Sequence, residues 1–192
     1  QLLHGDRGVR LIGGEIWEIV ANNIKELPIL KEEMRQRGLL NEEKFGVSGL
    51  SMGGITTYAL FNHYPEITAA ASLMGSADPA RFAKWTISSI WMTGATKEQC
   101  DALEAEIEKN KAFLDAMALA KQPEHINGRP LFLWHGMADD KVPYELNKEF
   151  YDSIKNEPYA TKVEWHETQG EGHRVPHQVF EAVADFFQKV FQ

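Results

Sequence analysis

An α/β architecture, a mostly parallel sheet with helices on both faces, is predicted by three features of the sequence. Short apolar runs alternate with stretches whose apolar residues recur every three or four positions, and strands separated by helices pair in parallel with the helices as crossovers. No internal repeat, low-complexity tract or linker rich in Pro, Gly or Ser interrupts the alternation, so one unit spanning 1–192 is expected. The 192 residues, 43% hydrophobic and 25% charged, are one domain's worth of chain with material for a sizeable core.

The first element is a helix. From Leu11 onward, Ile12, Ile16, Ile19, Val20, Ile24, Leu27, Leu30 and Met34 recur three or four apart, which gives one buried face. Pro28 falls inside that pattern and lacks an N–H, so it is expected to kink the helix or divide it near Glu26 and Leu27. Gly38 should end it. Lys44 to Leu50 is the first strand, Gly53 to Tyr64 the helix that follows, and Ala69 to Met74 the second strand. Asp78 to Asn127 reads as several helices. Within it Thr96 and Gln99 have the spacing of a capping box. Leu103, Ile107, Leu114 and Met117 then line one face, with Glu104, Glu106, Glu108, Lys109 and Lys111 mostly on the other. Pro130 to His135 is the third strand. Pro143 suits the first turn of a helix carrying Leu146, Phe150 and Ile154 on one side. Lys162 to Glu167 is the fourth strand, and a helix through Val179, Val183, Phe186, Phe187 and Val190 closes the chain.

Twenty Lys and Arg against twenty-eight Asp and Glu leave a net charge of −8. Nucleic acid and anionic membranes call for concentrated positive charge, so neither is expected as the main partner. The single cysteine, Cys100, cannot form an internal disulfide, and a cytoplasmic location is expected. No stretch approaches the roughly 18 apolar residues of a membrane span. An enzyme or a binding protein remains.

Gly49-Leu50-Ser51-Met52-Gly53 matches G-x-S-x-G between a strand and a helix. A serine hydroxyl must stand clear of the sheet for a base to reach it, and a tight strand-to-helix turn achieves that. Such a turn crowds the flanking positions, which glycine two before and two after relieves. The turn also aims a helix start at the reacting centre, where the Met52 N–H faces a developing oxyanion. Three fixed positions arise by accident in about one chain of this size in twenty. The strand–turn–helix context is what singles out Ser51 as the nucleophile.

The acid and base follow in the order Ser, Asp, His, each in a loop after a later strand. Asp139 lies in His135-Gly136-Met137-Ala138-Asp139-Asp140-Lys141-Val142-Pro143, and His173 in Gly170-Glu171-Gly172-His173-Arg174-Val175-Pro176. Asp139 would hold one imidazole nitrogen of His173 while the other takes the proton of Ser51. Asp140 competes but better suits a solvated turn. His177 falls inside the last helix. His4, His63, His125, His135 and His166 read as structural or surface residues, with His135 ending its strand and holding the turn by hydrogen bonding.

With these segments the chain resembles the α/β-hydrolases, and more narrowly is similar to small bacterial esterases related to dienelactone hydrolases and to prolyl-oligopeptidase catalytic domains. The likeness is carried by His4-Gly5-Asp6-Arg7-Gly8, Gly49 to Thr57, Ser72 to Ser76, Arg129 to Tyr144 and Gly170 to Pro176, spread over nearly the whole chain. The resemblance implies triad roles for Ser51, Asp139 and His173, and one oxyanion-hole N–H from Met52. Its HGxxDxxVP pattern selects Asp139 over Asp140, since Val142 and Pro143 fall in register. It further implies hydrolysis of carboxylic esters, a small-molecule ester as the partner, and no metal or organic cofactor. Strands, a helix and loops ahead of Gln1 are also implied, about 50–70 residues by typical element lengths. One of those loops would supply the second oxyanion donor. His4-Gly5 fits the loop after the next strand instead. These residues are therefore expected to belong to a longer polypeptide, with the strand Lys44 to Leu50 as an open sheet edge.

By the same resemblance, 78–127 occupies the place of a helical, lid-like insertion, in which Phe82, Trp85, Trp91 and Met92 are candidates to line an acyl pocket. The function that follows is a serine hydrolase cleaving small carboxylic esters through an acyl-enzyme. The same machinery could act on thioesters or short peptides. A non-catalytic scaffold used for binding is the reading from another class. For the enzyme, activity should fall as acidification protonates His173.

Overall fold

The computed structural model describes residues 5–192, so the expectation for His4 lies outside the described residues. The described chain opens with α1 (Gly5–Arg10), a π-helical turn (Leu11–Glu15) and α2 (Ile16–Gln36). It then forms one wholly parallel four-stranded sheet in the order β1 (Gly46–Leu50), β2 (Ala69–Leu73), β3 (Leu131–Gly136) and β4 (Val163–Thr168). α3 (Met52–His63) joins β1 to β2. Between β2 and β3 come α4 (Pro79–Thr86), α5 (Lys97–Lys109) and α6 (Lys111–Met117), with short 3-10 turns. α7 (Tyr144–Ile154) joins β3 to β4, and α8 (His177–Val190) closes the chain.

The apolar runs become strands for a visible reason. β2 and β3 are buried along their whole length, as inner strands of a sheet covered on both faces must be. Their side chains alternate between two clusters. Ala70, Leu131 and Leu133 pack with Tyr58 and Phe61 of α3 and Phe150 and Ile154 of α7. Ala71, Leu73, Phe132 and Trp134 pack against Val179, Val183 and Phe186 of α8. β1 and β4 are the two edges and are only partly buried. A third cluster joins Ile12, Ile16, Trp17 and Val20 to Phe82, Leu103, Ile107, Leu114 and Met117, and so fastens the 78–127 segment to the first helices.

Two expectations about α2 need correction. Pro28 does not divide the helix, which is continuous from Ile16 to Gln36. Proline withholds the N–H that the Ile24 carbonyl would accept, and the Tyr64 hydroxyl donates to that carbonyl instead. The buried stripe is also narrower than the apolar spacing suggests. It runs through Ile16, Trp17, Val20, Leu27 and Lys31, while Leu30 lies 55% exposed and Ile19 42% exposed. The stripe ends on a lysine because Glu42 and Glu66 flank the Lys31 amine. Gly38 closes the helix as expected: at φ +68° it lets the Leu39 N–H reach Met34 and its own N–H reach Arg35. The capping box at Thr96 and Gln99 is reciprocal, side chain to main chain in both directions.

Candidate active site

Register places the four strand ends side by side, since Leu50 pairs with Leu73, Leu73 with Trp134 and Gly136 with Thr168. Ser51 follows β1 directly. Its φ of 57° and ψ of −120° lie in a region that a non-glycine residue occupies at a cost of about 1–3 kcal/mol. The Ser51 N–H donating to the Leu73 carbonyl at 2.9 Å and the tight packing around it hold the turn in that shape.

The crowding that demands glycine differs in one detail from the sequence reading. A Cβ at position 49 would collide with the Gly53 carbonyl, whereas a Cβ at 53 would meet nothing within 4 Å. The second tight position is Gly54, where a Cβ would sit 2.8 Å from the Leu73 carbonyl oxygen and 3.0 Å from Gly75 Cα. The close approach of the residue 53 backbone therefore demands glycine at 49, and no neighbour demands it at 53.

The loops after β3 and β4 are stitched to each other. The Met137 N–H donates to Thr168 (3.0 Å) and the Ala138 N–H to Glu171 (2.8 Å). Gly136 permits the approach, because a Cβ there would lie 2.6 Å from the Glu171 carbonyl oxygen. Asp139 is oriented from within its own loop, its Oδ1 accepting from the N–H groups of Lys141 (2.9 Å) and Val142 (3.0 Å).

Across this junction His173 Nδ1 lies 2.8 Å from Asp139 Oδ2 and 3.0 Å from Oδ1, and His173 Nε2 lies 2.8 Å from Ser51 Oγ. A carboxylate can only accept, so Nδ1 carries the proton and Nε2 is left to accept from the Ser51 hydroxyl. Burial pushes the Asp139 carboxyl up. Hydrogen bonds from His135, His173 and the Val142 and Lys141 N–H groups outweigh it and hold the group well below the usual carboxylate range. Asp139 is thus a fixed negative charge beside the imidazole at neutral pH. Met52 opens α3, and its N–H has no partner within the helix.

Beside Ser51 lies a cavity of about 170 Å³ whose walls are apolar apart from the serine. Phe82 and Trp91 reach it, as the sequence suggested, but Trp85 and Met92 do not line it and pack in the third cluster. Its other walls come from Leu11, Ile16, Ile19, Met52, Ile55 and Val142. Sequence reasoning assigned Leu11, Ile16 and Ile19 to a core stripe. Only the exposure of Ile19 would have signalled another use. A roomier hollow of about 260 Å³ beside Arg129 holds no comparable chemistry. The Arg129 guanidinium spends its N–H groups on the carbonyls of Phe61, Tyr64, Ile67, His125 and Ile126.

The competing residues stand apart. Asp140 is exposed and paired with Lys141. His177 is exposed at the start of α8, facing Glu181. His125 bonds Asn62, and His166 stacks on Phe132. His135 is wholly buried and bonds the Val142 carbonyl from its strand end.

Comparison with known proteins gives a consistent answer. The profile of the prolyl oligopeptidase family matches residues 22–192. A Bacillus subtilis protein named "Putative esterase YitV" is 34% identical over 194 residues, covering 97% of this chain and 74% of that protein. The esterase YjfP of Escherichia coli is 24% identical over 185 residues, covering 96% of this chain and 71% of its own. A puromycin-hydrolyzing peptidase of Mycobacterium tuberculosis superposes with a TM-score of 0.64 at 18% identity. That match covers 88% of this chain but 25% of the peptidase, and the likeness is one of fold.

Proposed function

The chain belongs to the prolyl oligopeptidase family and is an esterase-like serine hydrolase, and we propose that Ser51, His173 and Asp139 are its catalytic triad, cleaving small, uncharged carboxylic esters. The observation that carries this reading is the unbroken line of contacts from Asp139 through His173 to Ser51, each step 2.8 Å. Ser51 Oγ attacks the acyl carbon and His173 Nε2 takes its proton. The oxyanion forms against the Met52 N–H. His173 then gives the proton to the departing alcohol and leaves the acyl group on Ser51. Water attacks that ester and gives its proton to His173, which returns it to Ser51 Oγ as the acid leaves.

The apolar cavity beside Ser51 favours acyl groups without charge, because a carboxylate or ammonium there would be desolvated with no partner. The 78–127 segment serves as the lid-like wall of that cavity through Phe82 and Trp91. A fluorophosphonate probe is expected to label the protein at Ser51, and Ser51→Ala to abolish both labelling and turnover of p-nitrophenyl esters. Acyl-CoA and peptide amides belong in the same panel. Faster turnover of either would move the substrate class, and a folded protein that the probe leaves unlabelled would favour a binding scaffold.

A further inference from the structure

Behind Asp139 a second line of buried polar groups continues away from the serine. His135 is the penultimate residue of β3 and Asn147 lies on α7, both with no exposed surface, and Tyr58 of α3 is 1% exposed. His135 Nε2 lies 2.9 Å from the Val142 carbonyl oxygen and 3.4 Å from Asp139 Oδ2. On its other side His135 Nδ1 lies 3.2 Å from Asn147 Nδ2, and the Tyr58 hydroxyl lies 2.6 Å from Asn147 Oδ1. Three elements thus spend fully buried polar side chains on one loop. Buried polar groups without partners cost free energy, so such a line persists only where every member is satisfied.

The donors and acceptors allow one neutral assignment. The Val142 carbonyl and the Asp139 carboxylate can only accept, so Nε2 must carry the proton. In the neutral ring Nδ1 is then a bare acceptor. The Asn147 amide nitrogen must face it, which turns the amide oxygen toward Tyr58 as the acceptor of its hydroxyl. The groups facing His135 are Asp139 from the loop, Asn147 and the Tyr144 ring from α7, and, through Asn147, Tyr58 from α3. His173 lies beyond Asp139.

We propose that His135 is a positioning residue for the triad. Tyr58 and Asn147 hold it as the neutral Nε2–H tautomer, and it clamps the Val142 carbonyl so that Asp139 stays on His173. The inference rests on the triad reading above. Its geometry is a closed clamp: the His135 Nε2–H fixes the Val142 carbonyl, and the N–H of that same residue fixes Asp139 Oδ1. A neutral ring also leaves the charge of Asp139 undivided. An imidazolium there would draw on the carboxylate and leave less of it for the His173 imidazolium that forms during catalysis.

The tautomer can be read on the unaltered enzyme by ¹⁵N NMR of the histidine rings. His135 is expected to give the ¹⁵N pattern of a neutral ring protonated on Nε2 at the pH of the activity assay. A charged ring, or one protonated on Nδ1 alone, overturns the proposal while leaving Ser51 labelling intact, whereas an unlabelled Ser51 overturns the triad reading and the proposal with it. In His135→Leu, kcat should fall by about 10²-fold, the scale of a misplaced catalytic group, with KM within about threefold of wild type. The acid limb should move to lower pH, because a His173 that has lost its carboxylate is harder to protonate. His135→Gln, which keeps a neutral donor near the ε position, should recover most of the loss. Tyr58→Phe removes one oxygen and should shift the profile in the same sense, keeping the test open should His135→Leu fail to fold. Variants that keep the wild-type acid limb, or lose activity only in step with thermal stability, would reduce His135 to a structural residue.

Discussion

Asp139 shows how far the choice between neighbours depends on what the main chain does next. Asp139 and Asp140 are adjacent and chemically identical, yet one accepts from two loop N–H groups and faces His173 while the other is exposed. The pattern ending in Val142 and Pro143 made that choice readable, since Val142 supplies one of those N–H groups. The carboxyl's low pKa fixes a second consequence. It titrates lower in the folded chain than in the unfolded one, where the value is near 3.9. As pH falls the unfolded state takes up the proton first, so the stabilisation is complete above about pH 5 and drains away as pH drops toward the folded value. Asp139→Asn lacks that contribution. Its stability deficit, measured by urea unfolding, should be largest at neutral pH and shrink in acid, and a deficit that stayed constant would mean the carboxyl is not held low. The same variant should lose on the order of 10⁴ in kcat, because an amide no longer selects the productive imidazole tautomer.

Among the elements, strands and helix caps were readable because their causes are local. An inner parallel strand must be continuously apolar, and Thr96 and Gln99 cap each other within one turn. The course of α2 was not readable, because its cause lies in another element. Nothing between Leu11 and Gly38 says that Tyr64, at the end of α3, will supply the donor Pro28 withholds. That substitution of one donor for another has a measurable signature. Tyr64→Phe should cost about 1–2 kcal/mol, the price of leaving a carbonyl unpaired. In a Pro28→Ala background residue 28 has an N–H of its own to offer Ile24, and the same change should cost markedly less. A double-mutant cycle by urea unfolding reads the coupling directly. Equal costs in the two backgrounds would show that the Tyr64 hydroxyl does not stand in for the missing N–H.

For the molecule as a whole, the triad and the cavity differ in how they are assembled. Each member of the proposed triad lies in the turn or loop that follows one strand, so the strand-to-loop transitions were the signal that pointed to all three. The cavity takes its walls from the π-helical turn, α2, α3, α4, the Trp91 turn and the Asp139 loop, and no local pattern announces that these will converge. Two contacts set their spacing. The Trp91 indole N–H donates to the Lys141 carbonyl at 2.7 Å, tying the Trp91 turn to the loop that carries Asp139. On the other side α1 rests on the same turn at Gly8, where a Cβ would run into the Trp91 carbonyl oxygen. Gly8→Ala therefore forces α1 and the Trp91 turn apart while touching none of Ser51, Asp139 and His173. Overpacking of this kind costs about 1–3 kcal/mol, so the melting temperature should fall. Because the walls separate but the triad does not, kcat/KM for p-nitrophenyl esters should shift in favour of longer acyl chains relative to acetate. A variant that melts earlier but keeps the wild-type preference would mean that α1 braces the fold without setting the depth of the cavity.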